Sequence, residues 1–248
     1  MLAWLILGLG GAYAGLLAYI YITQDRRFFP CDGADFGDFE GLRALSGQAV
    51  ALSRDGQALR YYFVPAQGAS KGLVLLFHGN REGARERFDY AQHLVALGVD
   101  VMLAEFPGYA GGEERASEAL FLRNALAMAD EAAGLCGQLP LVFAGESLGT
   151  GMATYCAYKR RCVGLLLVTP YPTMADVAGS RYPWLPVAPF VRHRFPAWRW
   201  AAQVEVPVLV IHGTDDATIP HAMGQAQAKV EAGMPSKGEH STKPPRCW

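Results

Sequence analysis

The chain has no CxxC pair, and its five cysteines (Cys31, Cys136, Cys156, Cys162 and Cys247) are odd in number and widely spaced. Neither a disulfide framework nor a thiolate zinc site is expected, and Cys136, Cys156 and Cys162 read as small buried apolar residues. An excess of charge is missing too: 22 Lys and Arg stand against 23 Asp and Glu, a formal net charge of −1. A nucleic-acid binder needs a basic excess or stripe, so no nucleic-acid partner is expected. Charged residues make up 18% of the 248 positions and hydrophobic ones 51%, which excludes a disordered chain and supplies a sizeable core. No fixed-period repeat or low-complexity segment stands out.

Charged side chains are also absent from Met1 to Ile22, where no Asp, Glu, Lys, Arg or His occurs. A helix of that length spans about 33 Å, against a bilayer core of about 30 Å. Trp4 and the pair Tyr19 and Tyr21 suit the two interfaces. A cleaved signal peptide would carry its basic residues before the apolar run, whereas Arg26 and Arg27 follow it. Residues 1–24 are therefore expected to be a single-pass membrane anchor, with the remainder on the cytoplasmic side. Gly11 and Gly15 form a GxxxG, too common in spanning helices to imply helix pairing.

Beyond the anchor, short apolar runs alternate with amphipathic ones. Leu59–Val64, Gly72–Phe77, Val99–Glu105, Leu139–Ala144, Gly164–Val168 and Val206–Ile211 read as strands, and Arg81–Leu97, Ala116–Ala133, Gly151–Tyr158 and Ala222–Ala232 as helices. Uninterrupted apolar strands separated by helices imply an α/β class with a mostly parallel sheet covered on both faces. The Pro- and aromatic-rich stretch Thr169–Pro196 breaks the rhythm and reads either as a small cap above the strand ends or as a packed connector. Residues 25–232 form the expected domain, and 233–248, rich in Pro, Ser and Lys, an expected disordered tail.

Three strand ends carry the chemistry. Gly145-Glu146-Ser147-Leu148-Gly149 follows an apolar strand and opens a small-residue helix, the strand–turn–helix setting of a nucleophile elbow. The turn is so tight that side chains at Gly145 and Gly149 would clash, and it holds the Ser147 hydroxyl clear of the sheet at a helix N-terminus. Phe77-His78-Gly79-Asn80 ends another strand, and the backbone N–H groups of Leu148 and Asn80 are placed to receive an oxyanion. His78 reads as a structural side chain that hydrogen-bonds its own loop. His212-Gly213-Thr214-Asp215-Asp216 follows a third strand, where a histidine-orienting carboxylate belongs.

These pieces, with EFPGYAGGE at Glu105–Glu113, LLLVTPY at Leu165–Tyr171 and PVLVIHGTDDATIP at Pro207–Pro220, resemble the α/β-hydrolases of the membrane-anchored abhydrolase-13-like (BEM46) group. The resemblance implies an α/β-hydrolase fold and a serine hydrolase of esters, thioesters or amides, with Ser147 as nucleophile and Asp216, ahead of Asp215, as the acid. It implies no metal and no cofactor, and a small-molecule or lipid-like acyl substrate. The family pattern then calls for a further strand, a GxGH-like turn and a closing helix, which this chain lacks. His240 is the candidate base by its distance from Asp216, although no strand delivers it. His221 is too close to Asp216 in sequence, and His193 reads as a surface residue between Arg192 and Arg194. The alternative is a hydrolase-like scaffold without a placed base. Without a following strand, Val206–Ile211 would be an exposed apolar sheet edge prone to self-association.

Overall fold

The computed structural model describes residues 1–31, 34–54 and 56–231. The expected tail at 233–248, and His240 with it, lies outside the described residues. The chain opens with helix α1 (Leu2–Phe28), followed by the single helical turn α2 (Glu40–Ala44). Strands β1 (Gln48–Arg54) and β2 (Gln57–Val64) form a hairpin, and β3 (Leu73–Phe77) comes next. Helix α3 (Phe88–Ala96), β4 (Asp100–Glu105), α4 (Glu118–Cys136), β5 (Leu141–Glu146), α5 (Leu148–Lys159) and β6 (Gly164–Val168) then alternate. Helices α6 (Met174–Arg181) and α7 (Ala197–Ala201), strand β7 (Val208–Ile211) and helix α8 (His221–Glu231) complete the described part.

The strands lie in one sheet of order β1-β2-β4-β3-β5-β6-β7, with β2 antiparallel to both neighbours and every pair from β4 to β7 parallel. This is the doubly covered sheet that the apolar runs imply. All five residues of β3 are buried. One cluster, built on Phe121, Phe143, Met152 and Leu167, fills the side of α4 and α5, and another, built on Tyr62, Val95 and Leu103, fills the side of α3. Cys136 and Cys156 are buried free thiols and Cys162 is half-buried.

Two details differ from the sequence expectation, and a third falls on one of its two alternatives. Strand β1 was not anticipated, because QAVALSR is half-exposed throughout and has no continuous apolar run. Residues 81–83 do not belong to a helix: a 3₁₀ turn at Ala84–Arg87 precedes α3, which starts only at Phe88. Thr169–Pro196 is a cap made of α6 and a second 3₁₀ turn at Ala188–Phe190.

The N-terminal segment calls for a further correction. Among the described residues no helix is long and apolar enough to cross a membrane, so the spanning helix expected over 1–24 is not part of the described fold. The structure holds instead a 27-residue helix whose first half stands clear of the domain, with Trp4 77% and Leu7 66% exposed. Its second half packs on the domain: Leu17 and Ile20 touch the larger core cluster, and Gln24 is buried. The Gln24 amide donates to the Phe190 carbonyl (3.2 Å) and accepts from the Arg192 N–H (2.8 Å), while Asp25 accepts from Arg192 (2.7 Å) and Arg115 (3.0 Å). His193 is no loose surface residue. Its Nε2 lies 3.2 Å from Asp25 and its ring packs on Phe29.

Among the described residues β7 ends the sheet, and its side chains alternate between half-buried and exposed, with Leu209 and Ile211 open to solvent. Replacing both by serine is expected to reduce self-association of the full-length protein in micelles. Light scattering checks this, and an unchanged aggregate fraction would contradict it.

Candidate active site

The register of the parallel strands brings the candidate residues to one edge. Phe77 pairs with Gly145, Glu146 with Val168, and Val168 with Ile211. The residues that follow these strand ends, His78, Ser147 and His212, therefore leave the sheet on the same side, where ligands bind in open parallel sheets.

Ser147 is the hinge between β5 and α5, with φ 50° and ψ −117°. A non-glycine residue in that conformation carries about 1–3 kcal/mol of strain. The two glycines explain how it persists. A Cβ on Gly145 would collide with the Gly149 carbonyl, and one on Gly149 with the Phe77 carbonyl, so no larger residue lets the strand and helix close on each other. Hydrogen bonds hold the turn from both sides: the Ser147 N–H donates to the Val168 carbonyl (2.9 Å), and Thr150 donates its N–H (3.0 Å) and hydroxyl (2.6 Å) to the Ser147 carbonyl. Among the described residues the half-buried Ser147 hydroxyl has no hydrogen-bond partner. Leu148 is the first residue of α5, so its N–H points out of the helix start, where negative charge is favoured.

The loop after β3 lies against this turn. A Cβ built on Gly79 would sit 3.7 Å from that of Ser147, ordinary contact distance. Its neighbour Asn80 is held at both ends. Tyr109 donates its hydroxyl to the Asn80 carbonyl (2.6 Å), and the Asn80 side-chain amide donates to the Phe28 carbonyl (3.2 Å) at the end of α1. His78 is buried, as its structural role in the loop requires: Nδ1 lies 2.7 Å from the Gly79 carbonyl and Nε2 2.9 Å from Glu105. Glu105 also accepts from the N–H groups of Ala84 (3.0 Å) and Phe106 (3.0 Å). Burial alone would raise its carboxyl pKa, but the facing His78 and these donors outweigh burial and hold it below the usual value. Sequence reasoning missed Glu105; its signal was an acid ending an otherwise apolar strand. Glu146 has a partner as well, the Arg87 guanidinium, at 2.5 and 3.1 Å.

Asp216 sits in the loop after β7. One carboxylate oxygen accepts from the N–H groups of Thr218 (2.8 Å) and Ile219 (2.9 Å), and the other lies 3.7 Å from His212 Nε2. His212 itself is turned to the Ile219 carbonyl (2.8 Å), and its buried Nδ1 has no partner among the described residues. His221, at the start of α8, stacks edge-on against His212 with ring centroids 5.4 Å apart. The structure thus brings Ser147, the Asn80 loop and the Asp216 loop to one sheet edge. Among the described residues it brings no histidine into hydrogen-bond contact with Ser147 or, closer than His212, with Asp216. Among these residues no cluster of His, Cys, Asp or Glu could hold a metal.

A cavity of about 710 Å³ lies beside this edge, between α1 and the cap. Leu17 and Ile20 of α1 line it together with Met174, Val177, Val187 and Val191, and Asn80 and Thr218 line it from the loops after β3 and β7. Three exposed arginines, Arg27, Arg81 and Arg181, also line it. None of these cavity residues was identifiable as such from the sequence.

The chain is similar to known proteins in sequence and in fold. No family model matches the chain. An uncharacterized protein of Mycobacterium tuberculosis is 29% identical over 215 residues, covering 86% of this chain and 76% of the relative. A zebrafish (Danio rerio) protein named lysophosphatidylserine lipase ABHD12 is 26% identical over 196 residues, covering 71% of this chain; the chain spans about half the length (51%) of that relative. Among solved structures, Est1E from Butyrivibrio proteoclasticus superimposes with a TM-score of 0.59 at 20% identity, over 73% of this chain and 84% of that one. A soluble variant of monoglyceride lipase from Saccharomyces cerevisiae gives 0.58 at 17%, over 76% and 83%.

The Glu105–His78 pair makes a testable contribution to stability. Glu105→Ala leaves a buried imidazole without its partner, a loss of about 3–5 kcal/mol for a broken buried pair. Because the folded carboxyl titrates below its unfolded value of about 4.3, the contribution is full above that value and disappears as pH falls through the folded value. Denaturant titrations are expected to show a large gap between wild type and variant at pH 7 that narrows toward pH 3; a gap independent of pH would contradict the pairing. Taken together, the sheet order, the hinge at Ser147 and these structural neighbours identify the chain as an α/β-hydrolase fold.

Proposed function

We propose that the protein is a serine hydrolase that cleaves an acyl ester of a lipid-like substrate. The observation that carries this reading is the backbone of Ser147, held at φ 50° by the close approach of α5 to the sheet, with an unpartnered hydroxyl among the described residues beside the first N–H groups of α5. In the proposed reaction the Ser147 oxygen attacks the acyl carbon while a histidine takes its proton. The N–H groups of Leu148 and Asn80 receive the oxyanion, each such donor worth about 2.7–4 kcal/mol of barrier. The histidine returns the proton to the departing alkoxide, and water then attacks the acyl-enzyme by the same route, releasing the acid and restoring the serine. Asp216 is assigned to orient the histidine, and His240 is the candidate for that base.

The substrate class rests on three supports. The cavity beside Asn80 is mainly apolar and within the roughly 300–1,000 Å³ range of small-molecule sites. Its arginines suit an anionic head group. Relatives carry the name lysophosphatidylserine lipase, in keeping with an acyl ester on a polar head group. The likeness to the abhydrolase-13-like group belongs to this proposal too. So does contact with a lipid surface, for which the first half of α1 offers the exposed apolar side chains Trp4, Leu5, Leu7 and Leu9.

The test is turnover of p-nitrophenyl esters by the full chain. Wild type is expected to hydrolyse them, Ser147→Ala to lose more than about a thousandfold, and His240→Ala to lose a comparable factor. Turnover by wild type that survives Ser147→Ala would overturn the mechanism. Full activity in His240→Ala would remove that residue as the base. Absence of turnover in a folded wild type would favour the second reading, a scaffold without a base, for which the lack of a described histidine at Ser147 is the supporting observation.

A further inference from the structure

We propose that α1 is one wall of the acyl site, and that Leu17 and Ile20 determine which chain lengths the enzyme accepts; this rests on the hydrolase reading above. The argument begins with the division of the helix. Its first half is exposed and apolar, whereas Leu17 and Ile20 are half-buried and line the cavity together with Met174 and Val177. A helix that served only to tether the domain would need no such packing, nor the buried Gln24 that ties it to Phe190 and Arg192 of the cap. The cavity is lined by Asn80 of the candidate site, whose side-chain amide is bonded to the last carbonyl of the same helix.

The occupant is a single hydrocarbon chain esterified to an anionic or polar head. Apolar side chains from α1 and α6 would enclose the chain, and Arg27, Arg81 and Arg181 would meet the head group. A bulky side chain at position 20 therefore shortens the space for long chains while leaving Ser147 and its neighbours in place. Leu16, next to Leu17 and four positions before Ile20 but exposed and outside the cavity lining, supplies the matched control.

The experiment compares wild type, Ile20→Trp and Leu16→Trp, each as the full chain in micelles, by two readouts. The first is hydrolysis of p-nitrophenyl acetate and p-nitrophenyl palmitate. The second is photocrosslinking by a diazirine-bearing palmitate, mapped by mass spectrometry to the α6 peptide that contains Val177. Ile20→Trp is expected to reduce palmitate ester turnover at least tenfold, to keep acetate ester turnover within twofold, and to abolish the α6 crosslink; Leu16→Trp is expected to leave all three unchanged. Equal losses on both esters, unchanged palmitate turnover, or the same loss in Leu16→Trp would overturn the proposal. If wild type hydrolyses neither ester, the hydrolase reading fails by itself and the crosslink still decides: its presence in wild type and loss in Ile20→Trp support the α1 wall, and its absence in wild type overturns it.

Discussion

The close approach of α5 to β3 and β5 is the contact on which the candidate site depends. Gly145 and Gly149 permit it, and any Cβ at either position would meet backbone. Once strand and helix are that close, the connecting residue has no relaxed conformation available, and Ser147 takes up the strain with φ 50°. The same contact sets Gly79 against Ser147 and so places the loop that carries Asn80. Burial of α5 requires small residues along its first turns, which is why its sequence reads Leu-Gly-Thr-Gly-Met-Ala before the larger Tyr155. Gly151 continues this requirement, since a Cβ there would strike the buried hydroxyl of Tyr171, which donates to the Leu148 carbonyl (3.3 Å).

Around that contact the polar groups are arranged to hold loops rather than to exchange protons. His78 and Glu105 tie the end of β3 to the end of β4, and Glu105 extends the tie to Ala84 and Phe106. Tyr109 and Phe28 hold Asn80 from opposite sides. The Asn80 loop is thereby connected through hydrogen bonds to the sheet and to α1, so the N-terminal helix and the candidate site are parts of one assembly. Donors fixed in advance in this way stabilise a developing charge without reorganising during the reaction.

Much of this was legible in the sequence because it is written in local patterns. The apolar runs of β3 to β7 and the GxSxG between a strand and small residues need no long-range information, and β6 coincides with the expected Gly164–Val168. Strand β1 was illegible for a local reason, its half-exposed pattern carrying no apolar run. What pins α1 to the cap was illegible for a different one: Gln24, Asp25, Arg192 and His193 lie more than 160 positions apart, and nothing near either group announces the other. Hence Gln24 was read as the end of an anchor, His193 as a surface residue, and the cavity between Ile20 and Val177 was not anticipated. The Asp216 loop was expected to face a histidine later in the chain, whereas among the described residues its nearest imidazole is His212, four positions before it.

The central claim is that the hydroxyl of Ser147 is a nucleophile because the backbone and nearby amides make it one. A fluorophosphonate probe tests this most directly, followed by peptide mapping of the adduct by mass spectrometry on the folded full-length protein. The account predicts one stoichiometric phosphonyl adduct, on Ser147, lost after thermal unfolding. An adduct on another residue, or none on a folded sample that retains its cooperative unfolding transition, would contradict it.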